Sequence, residues 1–552
     1  MHETIRVNAE RRVCGWLLLL CLGLPLSVAA AATRSTKMPV TPKWGRFEQR
    51  FKSAISYTNP IQEAGLTVLF ISPLGETNRV PGFWDGGKVW RVRFSPSLPG
   101  RWTYQTICSD PGNRGLHNQT GRFLCTSALK IDAFTEHGQV RVARDHRHFE
   151  YADGKPFFWL ADTVWDGPRV AREKDWDLYA RVRAAQGFTV AQWVVSPGSD
   201  MQKESAVTGT PERIAINLDF FHRLEARQAR LRHAGILSAI VPLAELAADQ
   251  GAASLSDDQA LLLVRYVVAR WGADPVAWLL AVDAGSDGKN ARRWQRIGRE
   301  VFGQRPHAPV VLYSPNSPSF PNEFLNEPWL DAFGCTALTE TSDEASRQLF
   351  NGLLATEPAR PLLAFLPCEN ALHQQTQQRF TAVEVRHAAY WSLLLGPAAG
   401  VSYGGQGVVS WDESRAARSG QDSAAELPLW QRSLFMPGAK QMGSLARFLD
   451  SIDFWRVRAQ TNVLAVQPGS ASPGRHIVAA TTETKDLGLV YVPADGTVEL
   501  NLQALPPAAV NSWFKPDTGE ISPAVAVVGT QTYQFPTPAP GDWLLVMKAG
   551  KP

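Results

Sequence analysis

Eight short apolar segments, each followed by a stretch of helical character, constrain the fold of this 552-residue chain most strongly. Apolar runs of about four to eight residues are typical of buried parallel strands. Segments 175–186, 219–233 and 257–271 have helical character, and glycine follows each within two residues, as is common at helix C-termini. The pattern predicts an α/β fold, a (β/α)₈ barrel over residues 138–450 with functional residues at the C-terminal ends of its strands. The strand-like segments are 157–161, 188–195, 236–241, 276–282, 309–313, 332–338, 361–366 and 399–403.

A doubly wound parallel sheet is the alternative arrangement of these units. It is disfavoured because no glycine-rich phosphate-binding loop follows the first strand-like segment. The sequence also lacks the HExxH, paired CxxC, P-loop and GxSxG motifs. It therefore predicts no metal and no cofactor.

Short runs of β character, broken by glycine and proline, flank the barrel region on both sides. Segments 66–71, 89–94 and 101–104 precede it, and segments 476–480, 488–492 and 542–547 follow it. This spacing predicts antiparallel β-sandwich domains over residues 40–136 and 455–552.

The first 32 residues have the organisation of a secretory signal peptide. Arg6, Arg11 and Arg12 precede an apolar run over residues 13–28, and small residues follow. The run is shorter than the roughly 20 residues of a membrane-spanning helix, and Pro25 interrupts it. We expect cleavage near residues 30–32, a secreted or periplasmic protein, and no membrane span after cleavage.

Four cysteines follow the signal segment, and export permits disulfides. Cys108 and Cys125 lie in one β-rich region, so a disulfide between neighbouring strands is one possibility for them. Cys335 and Cys368 lie at the ends of adjacent predicted strands. None has metal-site spacing, so a structural or free-thiol role is favoured.

Charge and aromatic content narrow the class of partner. The 56 Lys and Arg residues nearly balance the 52 Asp and Glu residues, and no dense basic run occurs, which disfavours nucleic acid as a partner. The 19 Trp residues fit either β-rich cores or surfaces that stack on sugar rings.

Several motifs resemble those of the apiosidase-like glycoside hydrolases. The barrel region carries Asp-Thr-x-Trp at 162–165, and further similar segments are 187–192, 278–283 and 386–394. Segment 83–104 resembles the N-terminal β-domain of unknown function that precedes such barrels. Segments 491–494, 513–520 and 540–546 resemble the C-terminal β-domain that carries a collagen-binding label. The resemblance implies a barrel that hydrolyses glycosidic bonds.

Glycoside hydrolysis uses two carboxyl groups, one to protonate the leaving oxygen and one as nucleophile or base. The resemblance assigns the acid to Asp283, at the end of the fourth strand. On the seventh strand the family has a catalytic Glu where this chain has Leu366, and Glu369 is the nearest replacement. Glu245 and Glu340, beyond the third and sixth strands, are further candidates.

Sugar-binding groups are expected at the mouth of the barrel, where Trp and Tyr stack on sugar rings and Asp, Asn and Gln bind hydroxyls. The candidates are Asp162, Trp165, Gln192, Trp193, Asn316, Tyr403 and Trp411.

The sequence therefore predicts a secreted apiosidase-like glycoside hydrolase that acts on plant or algal polysaccharide, with a carbohydrate as its partner. Leu366 keeps a second hypothesis open, a catalytically inactive barrel that binds glycans. A secreted structural protein is the third.

Overall fold

The N-terminal region of the chain forms two facing β-sheets, which are antiparallel apart from one parallel strand pair at the edge of the larger sheet. The computed structural model describes residues 38–196, 205–244, 255–281, 289–303, 306–313, 322–339, 348, 351–353, 355–356, 358–373, 376–396, 398–413, 430–460, 462–468, 473–506, 510–523 and 531–549. A five-stranded sheet of order β1-β8-β7-β3-β4 faces a three-stranded sheet of order β2-β6-β5, and Phe47, Phe70 and Phe123 pack between them. The strands are β1 Val40–Pro42, β2 Phe47–Lys52, β3 Leu66–Ile71, β4 Thr77–Pro81, β5 Phe83–Trp84, β6 Val89–Phe94, β7 Gly100–Cys108 and β8 Thr120–Thr126. Helix α1, Pro60–Glu63, precedes β3, and the predicted signal segment lies outside the described residues.

A small three-stranded sheet closes the base of the barrel. It follows helix α2, Ala133–His137, and contains β9 Val140–Val142, β10 Phe149–Tyr151 and β11 Pro156–Phe157. Phe134, Val140, Phe149 and Phe157 belong to the same buried cluster as the barrel interior. The N-terminal ends of the barrel strands are therefore covered.

Eight parallel strands close into a barrel, which confirms the predicted fold. Their order around the barrel follows the chain, as in successive βα units. A β-hairpin of β14 Val207–Thr210 and β15 Arg213–Ile216 follows the second barrel strand. The barrel strands are β12 Trp159–Thr163, β13 Val190–Ser196, β16 Leu237–Leu243, β17 Val276–Ala281, β18 Val310–Tyr313, β19 Ala332–Thr336, β20 Leu362–Phe365 and β21 Gly400–Tyr403.

Helices cover the outside of the barrel. The three clearest predicted helical segments correspond to α4, α5 and α6, with ends shifted by at most two residues. In α8 a reciprocal capping box between Thr381 and Glu384 fixes the first turn. The helices are α3 Gly167–Val170, α4 Glu173–Ala185, α5 Leu218–His233, α6 Asp257–Trp271, α7 Lys289–Ile297, α8 Ala382–Leu395, α9 Trp430–Ser433 and α10 Pro437–Asp450, with a π-helical turn at Gly298–Phe302 and a 3₁₀ turn at Asn322–Phe324.

Alternate strand residues face opposite sides of the barrel wall. One set packs inside the barrel, and the other packs between the strands and the helices, for example Leu160, Trp193 and Tyr403. The interior set contains Trp159, Ala161, Val190, Val194, Leu237, Ala239, Val241, Ala277, Leu279, Val311, Ala332, Leu363 and Phe365. This alternation decides which side chains are able to reach the mouth.

A six-stranded sheet of order β22-β23-β24-β29-β26-β27 and a two-stranded sheet of β25 and β28 form the C-terminal region. Residues of both sheets, including Val490, Leu500 and Phe535, share one buried cluster. The strands are β22 Val457–Ala459, β23 Val478–Thr482, β24 Leu487–Val492, β25 Thr497–Asn501, β26 Val510–Phe514, β27 Ile521–Pro523, β28 Thr532–Pro536 and β29 Trp543–Lys548, with 3₁₀ turns at Phe454–Arg456, Pro473–Arg475 and Leu502–Ala504.

Buried ion pairs join both β-regions to the barrel helices. The Arg270 guanidinium, on α6, donates to Glu225 of α5 at 2.6 and 2.9 Å and to Asp85 of the N-terminal region at 3.1 Å. Arg386, on α8, donates to both oxygens of Asp542 at 2.6 and 2.7 Å. Because breaking such a buried pair is costly, these contacts fix the β-regions to the barrel.

The four described cysteines are free thiols. Cys108 lies opposite Leu66, whereas Cys125 lies opposite Gly100 at the other end of β7. The pairing across neighbouring strands that the sequence left open is therefore absent, and the favoured free-thiol role agrees with the structure. Among the described residues no helix is long and apolar enough to cross a membrane.

Candidate active site

Three polar side chains from adjacent barrel strands form a hydrogen-bonded chain inside the barrel. The Thr163 hydroxyl, at the end of β12, donates to the Gln192 side-chain carbonyl at 3.2 Å. The Gln192 amide nitrogen donates to the Ser402 hydroxyl, on β21, at 2.8 Å. All three side chains are buried. They place hydroxyl and amide groups at the C-terminal half of the barrel wall, where barrel enzymes carry their chemistry.

Two aromatic side chains lie at the C-terminal ends of barrel strands, at the mouth. Trp165 follows β12, is half-buried, and packs against the interior cluster, while its carbonyl accepts a hydrogen bond from Val194. Tyr313, the last residue of β18, is also half-buried and stacks on Phe365 with ring centroids 3.8 Å apart. Partly exposed aromatic faces of this kind are suited to sugar rings. The structure thus brings the predicted residues Trp165 and Gln192 to the mouth.

Asp162 points away from the mouth, into the layer between the barrel and its helices. It is fully buried, and its carboxylate accepts hydrogen bonds from the Arg183 Nε at 2.7 Å and the Tyr179 hydroxyl at 2.9 Å. Complete burial raises the pKa of Asp162, and the charge of Arg183 opposes that rise. Both partners lie on α4, so Asp162 fixes this helix to the barrel instead of facing a substrate.

Glu369 is held in a similar way. Its carboxylate accepts a hydrogen bond from the Tyr403 hydroxyl. Its two oxygens also accept the backbone N–H of Gly438, at 3.1 and 3.2 Å. Gly438 lies in the first turn of α10, where backbone N–H groups attract negative charge. Burial raises the pKa of Glu369, although both hydrogen bonds favour its charged form. The structure therefore gives Glu369 and Tyr403 a position behind the mouth, attached to α10.

Two predicted sugar-stacking tryptophans are core residues. Trp193 is fully buried and meets Trp271 edge to face at 5.7 Å. Trp411 is 3% exposed and stacks on Trp430 at 4.3 Å. Neither ring is available to a ligand at the mouth, because strand alternation turns Trp193 outward and Trp411 packs against Trp176 and Tyr179 of α4.

Four candidates, Asp283, Asn316, Glu245 and Glu340, lie outside the described residues. Leu366, by contrast, is described. Its backbone N–H donates to Ser402 at 2.9 Å, which continues the strand ladder, and its side chain packs among the residues between barrel and helices. Position 366 therefore faces away from the barrel interior, and the loss of a second catalytic carboxylate there remains a prediction.

Sequence reasoning missed Thr163, Ser402 and Tyr313. They are identified by the alternation of side chains between the interior and the exterior of the barrel along each strand. Residues 159 and 161 face the interior, so residue 163 does too, whereas the neighbouring Asp162 faces outward. No cluster of His, Cys, Asp and Glu able to hold a metal ion occurs within the part of the chain that the structure describes.

The fold and this mouth define a glycoside hydrolase-like barrel protein. A structure described as a putative glycoside hydrolase from Bacteroides vulgatus has a TM-score of 0.66 and 18% identity, over 93% of this chain and 100% of that chain. A family 5 glycoside hydrolase from the same organism has a TM-score of 0.64 and 17% identity, over 76% of this chain and 95% of that chain. At this identity the likeness concerns the fold.

The chain belongs to the apiosidase-like family. The model of the apiosidase-like catalytic domain matches residues 143–456, which is more than half of the chain. A domain of unknown function, DUF5060, matches residues 40–109. The "Putative collagen-binding domain of a collagenase" matches residues 464–548. No curated protein matches the chain at a significant level.

Proposed function

We propose that this protein is a secreted or periplasmic glycoside hydrolase that acts on plant or algal polysaccharide. The observation that carries the proposal is a barrel of the apiosidase-like family with a polar, aromatic-lined mouth at the C-terminal ends of its strands. In this proposal Trp165 and Tyr313 stack on sugar rings, and Gln192 and Ser402 orient the polar groups beside them.

Asp283 is the proposed general acid and base. It follows β17, on which Ala277 and Leu279 face the barrel interior, and it shares their odd numbering. General acid–base catalysis contributes about 10² to 10⁴-fold to rate. The expected result is therefore that Asp283→Asn lowers kcat by at least about 100-fold on pectic oligosaccharides or aryl glycosides.

The control is Asp495→Asn, since Asp495 is exposed on the C-terminal region. This variant should release sugar as fast as the unaltered protein. Equal release by Asp283→Asn would show that Asp283 is not the acid.

Glu369 is the proposed second carboxylate in the sequence, but its contacts favour a positioning role. Glu369→Gln keeps an oxygen for Tyr403 and Gly438 and removes the negative charge. If Glu369 acts only through α10, this variant keeps turnover within about tenfold and shifts the thermal midpoint. A loss of turnover as large as that of Asp283→Asn, at unchanged midpoint, would assign it a catalytic role.

A glycan-binding barrel without hydrolysis is the second candidate. It is favoured because the two candidate carboxylates that the structure describes, Asp162 and Glu369, form hydrogen bonds behind the mouth instead of facing it. Calorimetry on the same oligosaccharides separates the two candidates. Binding that Trp165→Ala weakens about tenfold, without any release of sugar, would establish the binder.

A further inference from the structure

A second concave site lies at the base of the barrel, on the side opposite the mouth. A groove of about 500 Å³ runs between the strand pair β9–β10 and segment 454–458, which leads from the barrel into the C-terminal region. We name it the base groove. Its lining residues are Arg141, Ala143, Arg144, Asp145, His148, Glu150, Gly154, Trp455, Arg456 and Arg458. Its volume falls within the range of about 300–1,000 Å³ that is typical of ligand sites.

The base groove carries an excess of positive charge. Four arginines and two carboxylates line it, and of the arginines Arg456 is paired outside the groove, with Asp453 at 3.1 Å and Asp486 at 2.9 Å. Both carboxylates are already paired, Glu150 with Arg141 at 2.8 Å and Asp145 with His148 at 3.0 Å. A charge excess that the protein itself leaves unneutralised favours an anionic ligand.

Three arginines in or beside this groove form no ion pair with a carboxylate among the described residues. The exposed side chains of Arg144 and Arg147 form no ion pair there. Arg147 lines an adjoining cavity that shares His148, Trp455 and Arg458 with the groove. Arg458 donates only to the carbonyls of Trp455 and Val457, both at 2.8 Å. Partial burial and the like charge of Arg147 lower the pKa of Arg458, and the charges of Asp145 and Glu483 oppose this fall. Arg147 and Arg458 therefore repel each other, and all three guanidinium groups are open to a carboxylate of a ligand.

A flat aromatic wall lies beside them. The Trp455 ring is half-buried and packs nearly parallel to the His148 ring, with centroids 5.7 Å apart. Phe454 meets Trp455 edge to face at 5.5 Å and fixes its orientation. An indole wall next to guanidinium groups combines an apolar face for a sugar ring with forked donors for a carboxylate.

We propose that the base groove binds an anionic oligosaccharide, one whose sugars carry carboxylates as uronic acids do. Arg144, Arg147 and Arg458 hold the carboxylates, and Trp455 packs against a ring. Guanidinium groups bind carboxylates through two parallel hydrogen bonds, and the volume of the groove, about 500 Å³, is larger than a single small anion requires. The site is separate from the mouth, so it anchors a polymer without taking part in cleavage.

The test is calorimetric titration of the full chain with trigalacturonate at low salt, with maltotriose as the neutral probe of equal length. The proposal predicts binding of trigalacturonate that weakens as salt is added. Arg144→Gln/Arg147→Gln should weaken it at least tenfold, and both side chains are exposed, so the fold should not change. Arg458→Gln should act in the same direction. The control, Arg79→Gln, alters an exposed arginine on β4 and should leave binding unchanged.

Three outcomes would overturn the proposal. They are absence of trigalacturonate binding, binding that the double variant does not weaken, and equal binding of inorganic phosphate, which would define a simple anion site. Trp165→Ala serves to separate this site from the mouth, because it should leave base-groove binding intact. The base groove and the proposed hydrolysis therefore fail independently, since Asp283→Asn tests only the latter.

Discussion

Asp162→Asn separates two interpretations of the first barrel strand. The Asp162 carboxylate is fully buried and accepts hydrogen bonds from Arg183 at 2.7 and 3.3 Å and from Tyr179 at 2.9 Å. The substitution leaves the Arg183 guanidinium buried without its counter-ion, although it keeps Gln186 and the Leu434 carbonyl as acceptors. Removing one partner of a buried ion pair costs about 3–5 kcal/mol.

The assay is urea-induced unfolding monitored by tryptophan fluorescence, since Trp176 and Trp411 lie against this helix layer. We expect the variant to lose about 3 kcal/mol, toward the lower limit because an amide still accepts one hydrogen bond. The double variant Asp162→Asn/Arg183→Met should recover part of this loss, because the uncompensated charge is gone.

The structural interpretation is refuted if Asp162→Asn unfolds within about 0.5 kcal/mol of the unaltered protein, as substitutions away from buried networks do. It is also refuted if the variant weakens glycan binding at unchanged stability. That second result would mean that the carboxylate contacts the ligand, as the sequence alone suggested.

Three further predictions concern packing and titration. Burial alone would raise the pKa of Asp542, but the hydrogen bonds and charge of Arg386 hold it below its ordinary value. The contribution of the Asp542 carboxylate to folding stability is therefore complete above about pH 4 and is lost as the pH falls further. The stability difference between Asp542→Asn and the unaltered protein should accordingly shrink below that pH. Arg270→Met should lower stability by about 3 kcal/mol and expose the N-terminal β-region to limited proteolysis, which gel analysis detects; unchanged digestion would contradict this. Partial or complete burial raises the pKa of Cys125 to about 11 and that of Cys368 to about 12, so neither thiol should be alkylated at pH 8 until urea is added. Rapid labelling of the folded protein, followed by mass spectrometry, would contradict these raised pKa values.

The barrel could be predicted because its pattern is redundant. Eight apolar segments and their intervening helices each point to the same fold, so errors of one or two residues at the ends of α4 or α5 change nothing. The flanking β-regions are predictable for the same reason. Their attachment to the barrel is not, because Arg270 and Arg386 find partners 185 and 156 residues away in sequence.

The site is harder to predict because successive side chains at the end of a barrel strand point in opposite directions, into the barrel or toward the helices. Trp193 and Gln192 are adjacent in sequence, yet the first packs against Trp271 behind the wall and the second binds Ser402 inside the barrel. Residue type alone supports Trp193 and Gln192 equally as sugar-binding residues. Only the register of the strand, set by neighbouring apolar positions, distinguishes them.

The same register bears on whether the barrel is an active enzyme. Leu363 and Phe365 face the interior of β20, whereas Leu366 packs outside it. If position 366 were the site of a lost nucleophile, Leu366→Glu would raise turnover. The geometry instead places the new carboxylate among apolar side chains, where an unpaired charge is strongly destabilising. We therefore expect Leu366→Glu to lower the thermal midpoint and to leave turnover unimproved, and a gain in kcat would place the missing carboxylate at this strand after all.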